Sequence, residues 1–300
     1  MTGREIEGGS YKPLSKESIE RIHETAVRVF EEVGIEVNSE EAFALFKHTN
    51  AQVDEDTRRV MIPGDMVMDL VSKAPSEVTL YGRDRKHDVV LGNTMVHAGT
   101  GGTALNVIDR KNGHKRVATL NDLKEIAKLV DTLGNIHIFM LPVYPSDVPV
   151  EGVDVNRFFA GLDNTRKHIM GGVYTLEGIA QVIKMAEVIA GSSQRLRERP
   201  IISMITCSIS PFKIDSLYGD MLVAIAKAGI PVVCPAEPLC GATSPVTLAG
   251  TLVVQVVDSL AGVMNSQLAN PGTPVIYGSV ASSTDLRDMK YITGSERWAC

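Results

Sequence analysis

From residue 136 onward the chain repeats one phrase: a short apolar run, an amphipathic stretch of helical period, then the next apolar run. The runs start at Ile136, His168, Ile201, Val232 and Val275, about 32, 33, 31 and 43 residues apart. Strands are expected at 136–141, 168–173, 201–206, 232–234 and 275–277, each followed by a helix. A period of this length fits parallel strands joined by crossover helices, with both faces of the sheet covered. A doubly wound sheet and a barrel share the signal. The steady period, with no early phosphate-binding turn, favours a (β/α)8 TIM-barrel-like α/β fold whose first strand lies around 94–108.

The helices between the runs carry start and stop signals. Thr119 with Asp122 makes a capping box ahead of Leu123, Ile126, Ala127, Val130 and Leu133. Thr175 opens the next helix and Gly191 closes it; Gly229 closes the one built on Leu217, Met221, Leu222 and Ile225. Pro245 suits the first turn of a helix over 246–268. Residues 1–92 read differently, as a helix-rich module. Ser15 caps a helix with apolar positions Ile19, Ile22, Ala26, Val27, Phe30 and Val33, Gly34 stops it, and Ser39 and Pro63 open two shorter helices. A turn and short strand are expected over 51–62, and strands at 78–81 and 89–91 flank a charged turn. The expected division is therefore a module over 1–92 and a barrel domain over 93–300. Six of eight strands are accounted for, and Trp298, Ala299 and Cys300 leave no room for two more βα units, so the barrel is expected to be incomplete at its C-terminus.

Charge follows this division. Residues 1–90 hold 30 charged side chains, whereas 200–284 hold six, and between 238 and 284 the only charge is Asp258. A membrane span is one reading of so apolar a stretch, but Pro245, Pro271 and Pro274 with several Gly, Ser and Thr residues favour a buried segment. The first residues, MTGREIEGGSYKP, lack the apolar core of a signal peptide. Thirty Lys and Arg against thirty-six Asp and Glu give a formal charge of -6, which argues against nucleic-acid or anionic-membrane partners. Four cysteines over 300 residues point to a reducing, cytoplasmic setting.

In a barrel the chemistry gathers where strands end. Tyr144, Tyr174 and Tyr277 all fall at such ends in a chain with seven tyrosines, and Glu237 is the only charge in the loop after the fifth strand. An acid among aromatic faces suits a small cation, so these four are the candidate substrate-binding residues; the alternative is that the tyrosines cap the core and Glu237 is solvated. Cys207, Cys234 and Cys240 lie at or beyond neighbouring strand ends and offer a zinc-dependent alternative, although no Cys-x-x-Cys or His-Glu-x-x-His spacing supports it and buried cysteine is the commoner use. The glycine cluster at 97–103 (HAGTGGT) lets backbone amides approach an anion but matches no nucleotide fingerprint, and a tight hairpin is favoured there. His168 sits at the opposite, stability end of its strand. Arg195, Arg197 and Arg199 read as a solvated loop.

Several segments resemble one family in order along the chain: 22–37 (IHETAVRVFEEVGIEV), 97–103, 241–252 (GATSPVTLAGTL), 260–262 and 272–284 (GTPVIYGSVASST) are similar to the trimethylamine methyltransferase family. The likeness runs from about Ser15 to Gly294. It implies a barrel enzyme of methylamine metabolism, as in methanogenesis, that moves a methyl group from trimethylamine or a quaternary amine to the cobalt of a separate corrinoid protein. It implies no covalently bound cofactor and no metal of the chain's own; the methyl acceptor is a cobamide on the partner. A homo-oligomer is expected. Founding members use pyrrolysine in the later part of the barrel, which this chain lacks, and relatives without it act on quaternary amines such as glycine betaine. The resemblance assigns no catalytic residue here. A contrasting reading is a truncated, non-catalytic member that acts as a partner-binding subunit through the charge-poor stretch 238–284.

Overall fold

The structure, a computed structural model, describes residues 6–292. The ending read at Trp298, Ala299 and Cys300 lies outside the described residues, as do the first five residues of the N-terminal segment. The chain divides into two compact units. The first comprises Met1–Gly9 and Ser76–Ile205, the second Ser10–Pro75 and Thr206–Cys300. This is a different cut from 1–92 and 93–300, because residues 10–75 cluster with 206–300 while 76–92 cluster with 93–205.

The helices in chain order are α1 (Lys16–Glu32), α2 (Glu40–Lys47), α3 (Gly64–Lys73), α4 (Leu120–Thr132), α5 (Val153–Asn164), α6 (Leu176–Ala190), α7 (Ser193–Glu198), α8 (Ser216–Lys227) and α9 (Leu248–Ala269). The strands that matter for the site are β1 (Ile138–Met140), β2 (His168–Gly172), β3 (Ile202–Ile205), β4 (Val232–Ala236) and β5 (Val275–Ser279). All five fall within two residues of the expected runs.

In the first unit β1, β2 and β3 are parallel neighbours, with Ile138 opposite His168 and Ile169 opposite Ile202. The glycine cluster does not fold as a hairpin. It runs beside β1 as an irregular strand, with parallel bridges from Gly99 to Ile138 and from Ala104 to Val143, and the hairpin follows at Asn106–Ile108 and Lys115–Val117. The chain therefore does pass alongside the first regular strand where sequence placed it, but glycines replace a continuous ladder. The Thr119–Asp122 capping box forms, and Arg116 clamps the same Asp122 with two hydrogen bonds of 2.7 Å. That guanidinium is the main reason the Asp122 carboxyl is held far below the usual carboxylate range.

The stability end of this unit is rich in buried polar groups. Lys167, almost fully buried, donates to the carbonyls of Val130, Leu133 and Ile136 and so satisfies the end of α4. His168 is fully buried between the Tyr81 carbonyl, 3.0 Å away, and Ser203 Oγ, 2.9 Å away. Burial pushes its imidazole down to about 4. Arg199 corrects the solvated-loop expectation: it is half-buried, bonds both oxygens of Asp88 at 3.0 Å and stacks 4.4 Å from the Tyr81 ring. Arg195 and Arg197 lie on α7.

In the second unit β4 and β5 are parallel, with Cys234 opposite Tyr277. Ile35–Val37 pairs with Arg59–Met61 and with Lys213–Ile214, and Gln52–Asp54 completes that small sheet. The core of the unit is α9, against which α1, α2, α3, α8, β4 and β5 all pack. Pro245 and Pro271 bracket this helix instead of breaking it, and Thr247, two residues later than the sequence suggests, supplies the cap by accepting from Gly250 N. The helix is 22 residues long, and an 18-residue window within it has a mean hydropathy of 1.4, long and apolar enough to cross a membrane; two thirds of that window is buried inside the protein. Gly262 is required where α9 meets β4: a Cβ there would lie 2.9 Å from Cys234 Sγ.

Candidate functional site

In the first unit the chain just beyond β1 and β2 brings Tyr144 and Tyr174 together, edge to face, with ring centroids 5.5 Å apart and planes at 78°. Beneath them lies Arg157 of α5, which sequence reading missed. It is fully buried, and its guanidinium carbon is 5.3 Å from the Tyr174 ring centroid. Arg157 donates to the carbonyls of Gly172 (3.1 Å) and Leu141 (3.4 Å) and to Thr103 Oγ1 (3.0 Å), so one side chain ties the ends of β1 and β2 to the glycine cluster. Its Nε has no partner. One helical turn earlier Asp154, also buried, accepts from the Tyr174 and Thr175 amides at 3.1 Å and so fixes the turn that carries Tyr174. Burial raises the Asp154 carboxyl pKa despite those bonds. Asp154 and Arg157 are three apart on a helix and share its packed face, the one trace of this arrangement present in sequence.

In the second unit Glu237 is exposed just beyond β4, with Cys207 Sγ 3.9 Å from its Oε1. Burial first, then the nearby Glu237 carboxylate, pushes the Cys207 thiol up to about 12. Asp258 of α9 holds the loop around 208–212: Ser210 Oγ and the Phe212 amide (2.7 Å) donate to its carboxylate, and Ser208 Oγ donates to its carbonyl at 3.1 Å. Asp258 is 1% exposed, and burial lifts its carboxyl to about 6. Tyr277 stands elsewhere than expected. Its hydroxyl donates to Gln255 Oε1 of α9 at 3.2 Å, and its ring lines a groove of about 350 Å³ with Leu14, Ile22, Met68, Val71 and Leu260. The reason is register: Tyr277 is opposite Cys234, which meets Gly262 of α9, so both side chains point to the helix layer.

The three cysteines do not make a metal centre. Cys234 is buried against Gly262, Cys240 Sγ donates to the Val246 carbonyl at 3.1 Å, and Cys207 faces Glu237. Among the described residues no three His, Cys, Asp or Glu side chains converge to hold a metal.

Comparison with known proteins supplies what this geometry leaves open. A family model described as Trimethylamine methyltransferase (MTTB) matches residues 3–296. The trimethylamine methyltransferase MttB of Desulfitobacterium hafniense (strain DSM 10664 / DCB-2) is 34% identical over 290 residues, covering 97% of this chain and 58% of the relative. The glycine betaine methyltransferase of Desulfitobacterium hafniense (strain Y51) is 31% identical over 292 residues, covering 96% and 60%. The MttB of Methanosarcina thermophila is 31% identical over 293 residues, covering 94% and 59%. This chain thus spans less than two thirds of the length of these curated relatives. Among solved structures, the monomethylamine methyltransferase MtmB of Methanosarcina barkeri shares the fold, with a TM-score of 0.52 at 12% identity over 92% of this chain and 55% of that one. A family match from residue 3 to residue 296, in a fold of parallel βα units, places the chain in the trimethylamine methyltransferase family.

Proposed function

We propose that this chain supplies part of an amine methyltransferase, and that its βα units belong to a (β/α)8 barrel. The donor is trimethylamine or a quaternary amine such as glycine betaine, and the acceptor is the cobalt of a corrinoid protein. In this reaction the C–N bond breaks, the electron pair returns to nitrogen, and Co(I) takes the methyl as methyl-Co(III). The observation that carries the reading is the family match along the whole described chain, together with relatives that act on both kinds of amine.

The protein's task in such a transfer is to hold a cationic carbon donor in line with the metal and keep water away. In the second unit Glu237 is the residue we assign to the positive nitrogen. In the first unit Tyr144 and Tyr174, locked edge to face, are assigned as apolar walls with a fixed orientation. Tyr277 is set aside, because its hydroxyl is bonded to Gln255 of α9 and its half-exposed ring lines the separate groove beside Leu14 and Met68. A cytoplasmic location, a corrinoid partner and self-association belong to the same reading.

The test is methyl transfer from trimethylamine or glycine betaine to cob(I)alamin or a cognate corrinoid protein, followed by loss of the Co(I) absorbance. Transfer with one of these amines is expected, with Glu237→Gln raising KM by about tenfold through the lost charge. No transfer to either acceptor from any methylated amine overturns the reading.

A further inference from the structure

The glycine cluster is not absorbed by that reaction, and its surroundings are unusual. Thr100 N bonds the Ile138 carbonyl and Ala104 N bonds the Pro142 carbonyl, but between them the amides of Gly101, Gly102 and Thr103 donate to no acceptor among the described residues. All three residues are exposed. A Cβ built on Gly101 meets nothing within 4 Å, so the backbone there is open to approach. Behind the cluster stands Arg157, a fully buried cation with an unpartnered Nε and no salt bridge among the described residues. Its nearest acid in sequence, Asp154, is occupied by the amides of Tyr174 and Thr175.

Thr103 connects the two features. Its Oγ1 accepts from the Arg157 guanidinium, so the hydroxyl proton is directed away and polarised by a neighbouring positive charge. Three free amides, a polarised hydroxyl and a buried cation that makes no direct salt bridge, with the Asp154 carboxylate as its partial counter-charge, all favour negative charge. Tyr174 agrees with this. One face of its ring is already engaged by Arg157, which lowers its value to a second cation on that side.

We propose that Gly101, Gly102 and Thr103, backed by Arg157, form an anion site that receives the carboxylate of a zwitterionic methylated amine. The amine half of this statement rests on the function proposed above; the anion half stands on the first unit alone. Thr103 and the two glycine amides would touch the carboxylate, while Arg157 acts through Thr103 as a positioning residue. The site discriminates by charge: a carboxylate-bearing amine gains from it, and the same quaternary nitrogen on a neutral alcohol does not.

The experiment is a titration of the full chain, labelled with nitrogen-15 at glycine and threonine, with glycine betaine, choline and sodium acetate in turn, following the Gly101, Gly102 and Thr103 amide resonances. Glycine betaine and acetate are expected to move these resonances, and choline to leave them in place. Thr103→Val should weaken glycine betaine about tenfold, Thr103→Ser should keep affinity within about twofold, and neither should alter choline. If glycine betaine and choline bind equally and these amides do not move, the anion site is overturned while the amine reading survives. If acetate moves them but no methylated amine binds anywhere, the amine reading fails and the anion site stands.

Discussion

Each unit fastens the chain beyond its strands with one buried charge, and the two charges have opposite sign. In the first unit Arg157 gathers two carbonyls and a hydroxyl; in the second Asp258 gathers an amide and a hydroxyl. Both side chains are essentially without solvent exposure. What differs is whether the charge can be given up. A guanidinium remains protonated at any ordinary pH, so the first unit keeps its fastening unchanged, whereas a carboxyl lifted to about 6 exchanges its proton near neutrality. The sign of one side chain thus decides whether a loop is coupled to pH.

The largest effect expected from this contrast is Arg157→Met. The change leaves the buried Leu141 carbonyl and the part-buried Gly172 carbonyl without this donor, and a loss of about 3 kcal/mol in unfolding free energy is expected by urea denaturation. A loss within experimental error would remove Arg157 as the fastening of the first unit.

The pH profile comes next. Asp258 has a folded pKa raised from 3.8 to about 6, so its contribution to stability is full below about 3.8 and is lost as pH rises through about 6. His168 has a folded pKa lowered from 6.5 to about 4, so its contribution is full above about 6.5 and is lost as pH falls through about 4. Between pH 4 and 6 the two slopes oppose each other. Asp258→Asn, whose amide can still accept from Phe212 and donate to Ser210, should leave the His168 slope visible: stability then rises across that window by something on the order of 3 kcal/mol. His168→Gln should leave the opposite slope. Identical profiles for both variants and the parent chain would show that neither group couples to folding.

A smaller effect is expected at Asn265 of α9, which is fully buried with neither amide atom partnered. Asn265→Leu keeps the branching and the number of heavy atoms and removes the unmet polar demand, and a gain of about 1 kcal/mol is expected by thermal or chemical unfolding. A loss would mean that the amide is satisfied in solution by a bound water.

Local signals were the legible part of the fold. Ser15, Ser39, Thr119 with Asp122, and Thr175 all cap the helices they were read to open, because a cap is settled by three or four neighbouring residues. The strands were legible because burial on both faces leaves a continuous apolar run. The misses involve partners distant in the chain. Arg199 reads as solvated until Asp88 is brought to it from 111 residues away, and Arg157 reads as an ordinary helical arginine until β1, β2 and Thr103 surround it. Of the four candidate residues, Tyr144 and Tyr174 are adjacent as a pair, Glu237 stands exposed beyond β4, and Tyr277 is turned by strand register to the helix side. Position at a strand end can be read from sequence to within a residue or two; which face a side chain takes depends on that same residue or two.

The helix α9 carries a consequence for how the protein is made. Its chief partners α1 and α3 end at Glu32 and Lys73, so they leave the ribosome far ahead of Leu248, and the whole of Ser76–Ile205 is synthesised in between. The N-terminal helices must wait for their core, and the core emerges as a segment whose length and hydropathy suit lipid as well as protein. Asp258, Asn265 and Gln267 bias that choice, since an acid near the middle of a spanning helix opposes insertion by roughly 3 kcal/mol. Side chains that the finished fold satisfies at Asp258 and Gln267, and leaves unmet at Asn265, thus also help keep the nascent helix out of the bilayer until α1 and α3 receive it.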